Sequence, residues 1–419
     1  MGSVPTVTEV HVELAERPGD SPLRCSFVPL IENDLVRRLA TLANPERIVF
    51  DAARGHLVDI ISFQPCLRST SQDRFVAQQL DVHGQKWTFT GVFDGHLGDA
   101  TVEHTAYHLP IIVKQSLQKV ITGPASPAPG PELIRNILSN AITSFDDAIA
   151  GDVLKLFPGG LTSLENRTDE EIQAVVNDFD GPNGGGGGAN YQKAKLCLYG
   201  TTALFALVDP AHENLWVANL GDCEAVLVTP GTDGRLARHE VLNVLHNGSN
   251  PAEIARVRRD HPGEPESVLN GRVLGTIAPF RCIGDAAFKQ PAIFTRRVLY
   301  NLYPGVADPT PWEVFLARNR TPPYISSEPD VIHRRLGHPR SLLILATDGL
   351  GELYDGAGRG ERVADWARYV AEGAGAANLA LRLLRHALGG EDLMSISQMI
   401  TLDMETPWMD DTTIIVQAL

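Results

Sequence analysis

An apolar, β-prone run, Phe89-Thr90-Gly91-Val92-Phe93, ends abruptly in Asp94-Gly95-His96. Aromatic and β-branched residues favour an extended strand, and the Asp-Gly pair stops it. The pattern recurs where Leu342-Leu343-Ile344-Leu345-Ala346-Thr347 runs into Asp348-Gly349. A third acidic pair, Asp410-Asp411, stands just before Thr412-Thr413-Ile414-Ile415-Val416. Strands that each present a carboxylate at one end supply the oxygen ligands that hard divalent metals require. His96, next but one to Asp94, adds a group able to move a proton. These residue types in these places predict metal-dependent hydrolysis. A lone Asp-Gly would read as an ordinary turn, so the reading rests on the recurrence.

At 419 residues with 43% hydrophobic content, the chain has material for a sizeable core, either as one domain with insertions or as two. No apolar run reaches the ~18 residues of a membrane span. The net charge of −15 opposes binding to nucleic acid through its phosphates, and we expect part of it to sit at the metal site. Cys25, Cys66, Cys197, Cys223 and Cys282 are dispersed and show no CxxC pairing, which predicts small buried thiols in a reducing, intracellular compartment. The N-terminus shows no secretory apolar core, and Glu9, Glu13, Glu16 and Asp20 are foreign to a transit peptide. Cytoplasm and mitochondrion both stay open. Met1-Gly2-Ser3-Val4-Pro5-Thr6 fits the N-myristoylation pattern at Gly2, with Pro5 an awkward fit.

Along the chain we expect an N-terminal extension over 1–60, with a helix over 32–43, and one catalytic domain over 61–419. Apolar spacing predicts helices over 100–120, 132–156, 251–261 and 362–388, and strands over 85–94, 201–208, 215–219, 225–229, 341–346 and 412–417. A glycine-rich insertion lies near 180–190 and a proline-bearing insertion, or lid, at 291–323. The glycine run has no following Gly-Lys-Ser/Thr, so it is not a phosphate loop. Strand clusters and long helices without regular alternation predict an α+β protein of antiparallel sheets covered by helices.

The chain resembles the type 2C family of metal-dependent serine/threonine protein phosphatases. The resemblance is carried, in order, by Ser71-Gln72-Asp73-Arg74, Val92-Phe93-Asp94-Gly95-His96, Gly200-Thr201-Thr202-Ala203 and Ala218-Asn219-Leu220-Gly221-Asp222. It continues through Arg281-Cys282-Ile283-Gly284-Asp285, Ala346-Thr347-Asp348-Gly349-Leu350 and Asp410-Asp411-Thr412-Thr413. Within the family, Leu274-Gly275, Pro279-Phe280-Arg281, Phe288-Lys289 and Ser327-Glu328-Pro329-Asp330-Val331 look most like the mitochondrial pyruvate dehydrogenase phosphatase branch and its fungal relatives. The resemblance implies a four-layer α-β-β-α sandwich, two antiparallel sheets flanked by helix pairs.

It also implies a site. Two Mg2+ or Mn2+ ions, about 3.5–4 Å apart in such centres, activate a water and clamp the phosphoryl oxygens. By the resemblance Asp94 bridges them, the Gly95 carbonyl helps to ligate one, and Asp348 and Asp410 ligate the other. Asp73 holds metal-bound waters. Asp222 and Glu352 match a third, weaker metal site, although Glu352 also fits an ordinary acid in the first turn of a helix. His96 matches the general acid that protonates the departing serine or threonine oxygen. Arg68 matches an arginine that grips substrate phosphate with its planar fork. The pyruvate dehydrogenase phosphatase branch usually lacks that arginine, and a plain surface arginine is the alternative.

Two departures stand out. Gln72 occupies the place of a family glutamate, which removes one negative charge beside the hydrated metals, and Cys223-Glu224 replaces the usual Ser-Arg after Gly221-Asp222. The substrate expected is a phosphoprotein. The competing readings are a catalytically impaired relative serving as a scaffold, and a hydrolase of a small phosphorylated metabolite.

Overall fold

The computed structural model describes residues 10–14, 23–127, 129–178, 187–231, 237–337, 340–354, 356–373 and 375–419. The glycine-rich stretch at 179–186 and Gly2 lie outside them. Two compact units emerge. One comprises the chain up to Asp73, Ala225–Val241 and the residues from 340 onward, and the other comprises Arg74–Glu224 and Leu242–Gly337. Each is built from antiparallel strand pairs accompanied by helices, as the sequence patterns predict.

The Arg74–Glu224 and Leu242–Gly337 unit holds a five-stranded sheet in the order Asp330–Arg335, Asn214–Leu220, Ala203–Val208, Gln85–Phe93, Arg74–Val82, with every neighbouring pair antiparallel. The central strands are buried along nearly their whole length, which is why they read as continuous apolar runs. Phe89 stacks on Phe205 at 4.8 Å between ring centroids, and Trp87 meets Trp216 at 6.0 Å. Helices Ala100–Val120 and Pro131–Leu154 pack on this sheet and on each other. The second buries Leu138, Ile142, Phe145 and Ile149, a spacing of three and four that keeps one stripe inward. Pro131 sits in its first turn, where a missing N–H costs nothing.

Residues 291–323 are more ordered than their prolines suggest. They form helices Ala292–Arg297 and Thr310–Leu316, and Phe294, Leu299, Phe315 and Leu316 join the core of the unit. The Asn177 amide donates to the Asn301 carbonyl at 2.9 Å, and the Asn319 amide donates to the carbonyls of Ala287 and Gln290. Side-chain amides thus satisfy the backbone that the prolines leave irregular.

The other unit holds a six-stranded sheet in the order Arg238–Val241, Glu224–Thr229, Leu342–Ala346, Thr412–Ala418, His56–Phe63, Glu46–Asp51. Helices Glu32–Ala43, Arg359–Glu372, Leu379–Ala387 and Leu393–Thr401 bury Leu35, Leu39, Trp366, Leu383, Leu384 and Ile396 in its core. The boundary expected after residue 60 falls inside strand His56–Phe63, which pairs with Thr412–Ala418 on one side and Glu46–Asp51 on the other. Residues 32–60 therefore belong to the sheet and its helical cover. The long helix expected over 362–388 is two helices. Gly373 closes the first, and Asn378 opens the second by accepting the Leu381 N–H on its side chain at 2.8 Å, a cap that an apolar pattern alone does not reveal. No helix among the described residues is long and apolar enough to cross a membrane.

Candidate active site

In the five-stranded unit, strand Gln85–Phe93 delivers Asp94 with its backbone fixed at both ends. The Asp94 N–H donates to Thr202 Oγ1 at 3.2 Å, and its carbonyl accepts from the Thr202 N–H and from Thr201 Oγ1, both at 2.9 Å. Gly95–His96 then pairs antiparallel with Gly200–Thr201, which pairs with Ile283–Gly284. Three motifs distant in sequence are thereby stitched into one small sheet. Asp222 follows Gly221, a glycine in the left-handed region at φ 121°, where a side chain would be strained. Asn247 donates its amide to Asp222 Oδ2 at 3.1 Å. Asp94 and Asp222 offer carboxylate oxygens within 4.8 Å of each other. Burial pushes the Asp222 carboxyl above the usual carboxylate range.

His96 Nε2 lies 2.6 Å from Asp285 Oδ2. Burial alone would lower the imidazole, but the Asp285 carboxylate outweighs it and the net direction is up.

In the six-stranded unit, strand Leu342–Ala346 ends at Thr347, and helix Asp348–Glu352 starts at once. A separation of four residues puts Asp348 and Glu352 on one face of that turn. Asp410 comes to the same place through the antiparallel pairing of Leu342–Ala346 with Thr412–Ala418. Asp348, Glu352 and Asp410 offer carboxylate oxygens that all lie within 4.8 Å of one another. Asp411 is already committed: Oδ1 accepts from Gln64 Nε2 at 2.8 Å, and Oδ2 accepts from the Gln72 N–H at 2.6 Å. The pair Asp410-Asp411 thus divides into a ligand candidate and a clamp on the Gln72 backbone. Asp73 is buried, and Thr347 Oγ1 donates to its Oδ2 at 2.7 Å. Burial pushes its carboxyl up to about 7, with the charges of Asp411 and Asp410 adding to the rise.

Every donor in these two sets is a carboxylate oxygen, the chemistry that suits Mg2+ or Mn2+ rather than zinc. Gln72 Oε1, next to Asp73, is buried without a hydrogen-bond donor, which suits an acceptor for a hydrated cation. The residues present fit the metals. Arg68 is exposed and pairs with the still more exposed Glu405 at 3.2 Å, a contact worth at most ~1 kcal/mol. Sequence reasoning missed Thr347, Asp411 and Asp285. Asp285 stood in a quoted motif without a role, and its distance from His96 along the chain hid the contact.

The protein phosphatase 2C family matches residues 186–388. The human mitochondrial pyruvate dehydrogenase [acetyl-transferring]-phosphatase 1 is 35% identical over 204 residues, 48% of this chain and 36% of that protein. The chain therefore spans about a third of that relative's length. A protein phosphatase 2C homolog of Schizosaccharomyces pombe is 26% identical across 85% of this chain and 78% of that one. A solved serine-threonine phosphatase 2C from Toxoplasma gondii superposes with a TM-score of 0.49 at 17% identity, covering 98% of this chain and 99% of that one. The family match over residues 186–388 and these two curated relatives support a phosphatase of the protein phosphatase 2C family related to its pyruvate dehydrogenase phosphatase branch.

Proposed function

We propose that the chain is a metal-dependent protein phosphatase that hydrolyses phosphoserine and phosphothreonine. The observation that carries the reading is the pair of all-carboxylate sets at strand ends, Asp94 with Asp222 and Asp348 with Glu352 and Asp410, the first two residues from His96. Bound Mg2+ or Mn2+, two ions and by the resemblance a third, would supply charge neutralisation and an activated water. Asp94, the Gly95 carbonyl, Asp348 and Asp410 would hold the core ions, Asp222 and Glu352 the weaker one, and Asp73 their waters. As water attacks phosphorus and the P–O bond to the side chain breaks, His96 would hand its proton to the leaving oxygen. Arg68 would grip the phosphate, since its exposed pairing with Glu405 is weak enough for a dianion to displace. The scaffold reading predicts loss of these acids, and all of them are present.

Phosphoserine and phosphothreonine peptides should turn over with Mn2+ or Mg2+ and not with chelator. Asp94→Asn and Asp348→Asn should each cut turnover by orders of magnitude and weaken calorimetric Mn2+ binding. Near-normal turnover by Asp94→Asn in chelator would end the metal-dependent reading.

A further inference from the structure

We propose that Asp285 is the positioning residue for His96, fixing Nε2 toward itself and leaving Nδ1 as the nitrogen that serves the leaving oxygen. The inference rests on the reading of His96 as proton donor. Nothing in the family match or the named relatives assigns Asp285 a part.

Three features are built around this one contact. The first is the contact itself, 2.6 Å between His96 Nε2 and Asp285 Oδ2, with the carboxylate buried at 1% exposure. A carboxylate accepts only, so Nε2 must carry its hydrogen there. The second is Gly200. A Cβ at that position would sit 1.9 Å from Asp285 Oδ2 and 2.3 Å from His96 Nε2, so the bond passes over ground that only glycine leaves clear. The third is the backbone of Asp285, held in the left-handed region at φ 49° and ψ 47°, a conformation that few residues other than glycine, Asn and Asp adopt.

The surroundings hold that conformation in place. The Asp285 N–H donates to the Tyr199 carbonyl at 2.9 Å, and the Gly284 N–H donates to Asp146 Oδ1 at 2.8 Å. Lys289 Nζ bonds both oxygens of Asp146 and the Cys282 carbonyl, each at 2.7 Å. Cys282 Sγ donates to the same Asp285 oxygen at 3.0 Å. Burial, reinforced by the Asp285 charge, raises the Cys282 thiol well above its ordinary value, so it stays a neutral donor. A buried carboxylate that orients an imidazole does for His96 what the buried aspartate does in a serine-protease triad.

The test compares Asp285→Asn, His96→Ala and the double variant on a phosphoserine peptide and on p-nitrophenyl phosphate, in saturating Mn2+. The alkoxide leaving group of the peptide needs a proton, and the nitrophenolate hardly does. Asn fits the left-handed backbone and the same volume, but it can present its N–H2 to the ring and select the wrong tautomer. Asp285→Asn should lower kcat on the peptide roughly 10–100-fold with KM unchanged, and change p-nitrophenyl phosphate turnover less than about threefold. The double variant should be no slower than His96→Ala. If His96→Ala shows the substrate split and Asp285→Asn loses both substrates equally, or neither, the positioning role fails and the proton-donor reading stands. If His96→Ala shows no split, both fall. Should Asp285→Asn not fold, long-range 1H–15N spectra of the unaltered protein decide: a slowly exchanging Nε2 proton of His96 is expected, and a freely exchanging one overturns the inference.

Discussion

Gln72 shows how one atom changes a site without leaving it. Its N–H is pinned by Asp411 at 2.6 Å, and its Oε1 is buried with no donor. A carboxylate in its place would attract a cation and accept stronger hydrogen bonds from the cation's waters than an amide does. Gln72→Glu should therefore lower the Mn2+ or Mg2+ concentration for half-maximal turnover and tighten Mn2+ binding in a calorimeter. In chelator the same variant should be less stable, because a further acid joins Asp73, whose carboxyl burial already pushes up to about 7. An unchanged or poorer metal requirement would mean that the side chain at 72 does not face the hydrated metals.

Among elements, helix Pro251–Asp260 is attached through a network of charged side chains. Asn250 caps it by accepting the Ala252 N–H at 3.0 Å. Glu253, only 5% exposed, accepts from Arg281 Nη2 at 2.6 Å and from Arg256 Nη2 at 2.9 Å. Arg281 reaches on to Asp330 Oδ1 at 3.3 Å, and His246 Nε2 meets Asp330 Oδ2 at 3.0 Å. Burial alone would raise the Glu253 carboxyl, but Arg281 and Arg256 outweigh it and hold it down to about 2. A depressed carboxyl stabilises the fold above its unfolded value near 4.5, and that stability drains away as pH falls toward 2. The difference corresponds to about 3 kcal/mol. Glu253→Gln should cost roughly that much at pH 7 in urea denaturation, and the gap to the parent should narrow below pH 4.5. A gap that stays constant down to pH 3 would show that the pairing contributes little.

On the scale of the whole molecule, a net charge of −15 includes several acids crowded at strand ends, and self-repulsion there opposes the folded state. A cation bound only by the folded chain offsets it. At a hundredfold excess over its Kd, Mn2+ should add about 2.7 kcal/mol, seen as a melting temperature several degrees higher than in chelator. Asp348→Asn should melt higher than the parent in chelator, since one like charge is gone, and should lose most of the metal-induced shift. If Mn2+ shifts both proteins equally, Asp348 is not a ligand.

Local physics was legible in the residues. Helices Glu32–Ala43 and Ala100–Val120 and strand Thr412–Ala418 follow from apolar spacing read over a dozen positions. The strand-end acids and His96 are short-range patterns too, and the ordered motifs pointed to the family. What the sequence left undecided depends on which strands pair. Asp285 reaches His96 across 189 positions, and Asp411 reaches the Gln72 backbone across 339. No periodicity spans such gaps, because they close only when the sheets and the small three-stranded ladder form. The same pairing drew His56–Phe63 into the C-terminal sheet, separated Asp410 from Asp411 in role, and placed Gly200 under the one contact that a side chain there would break.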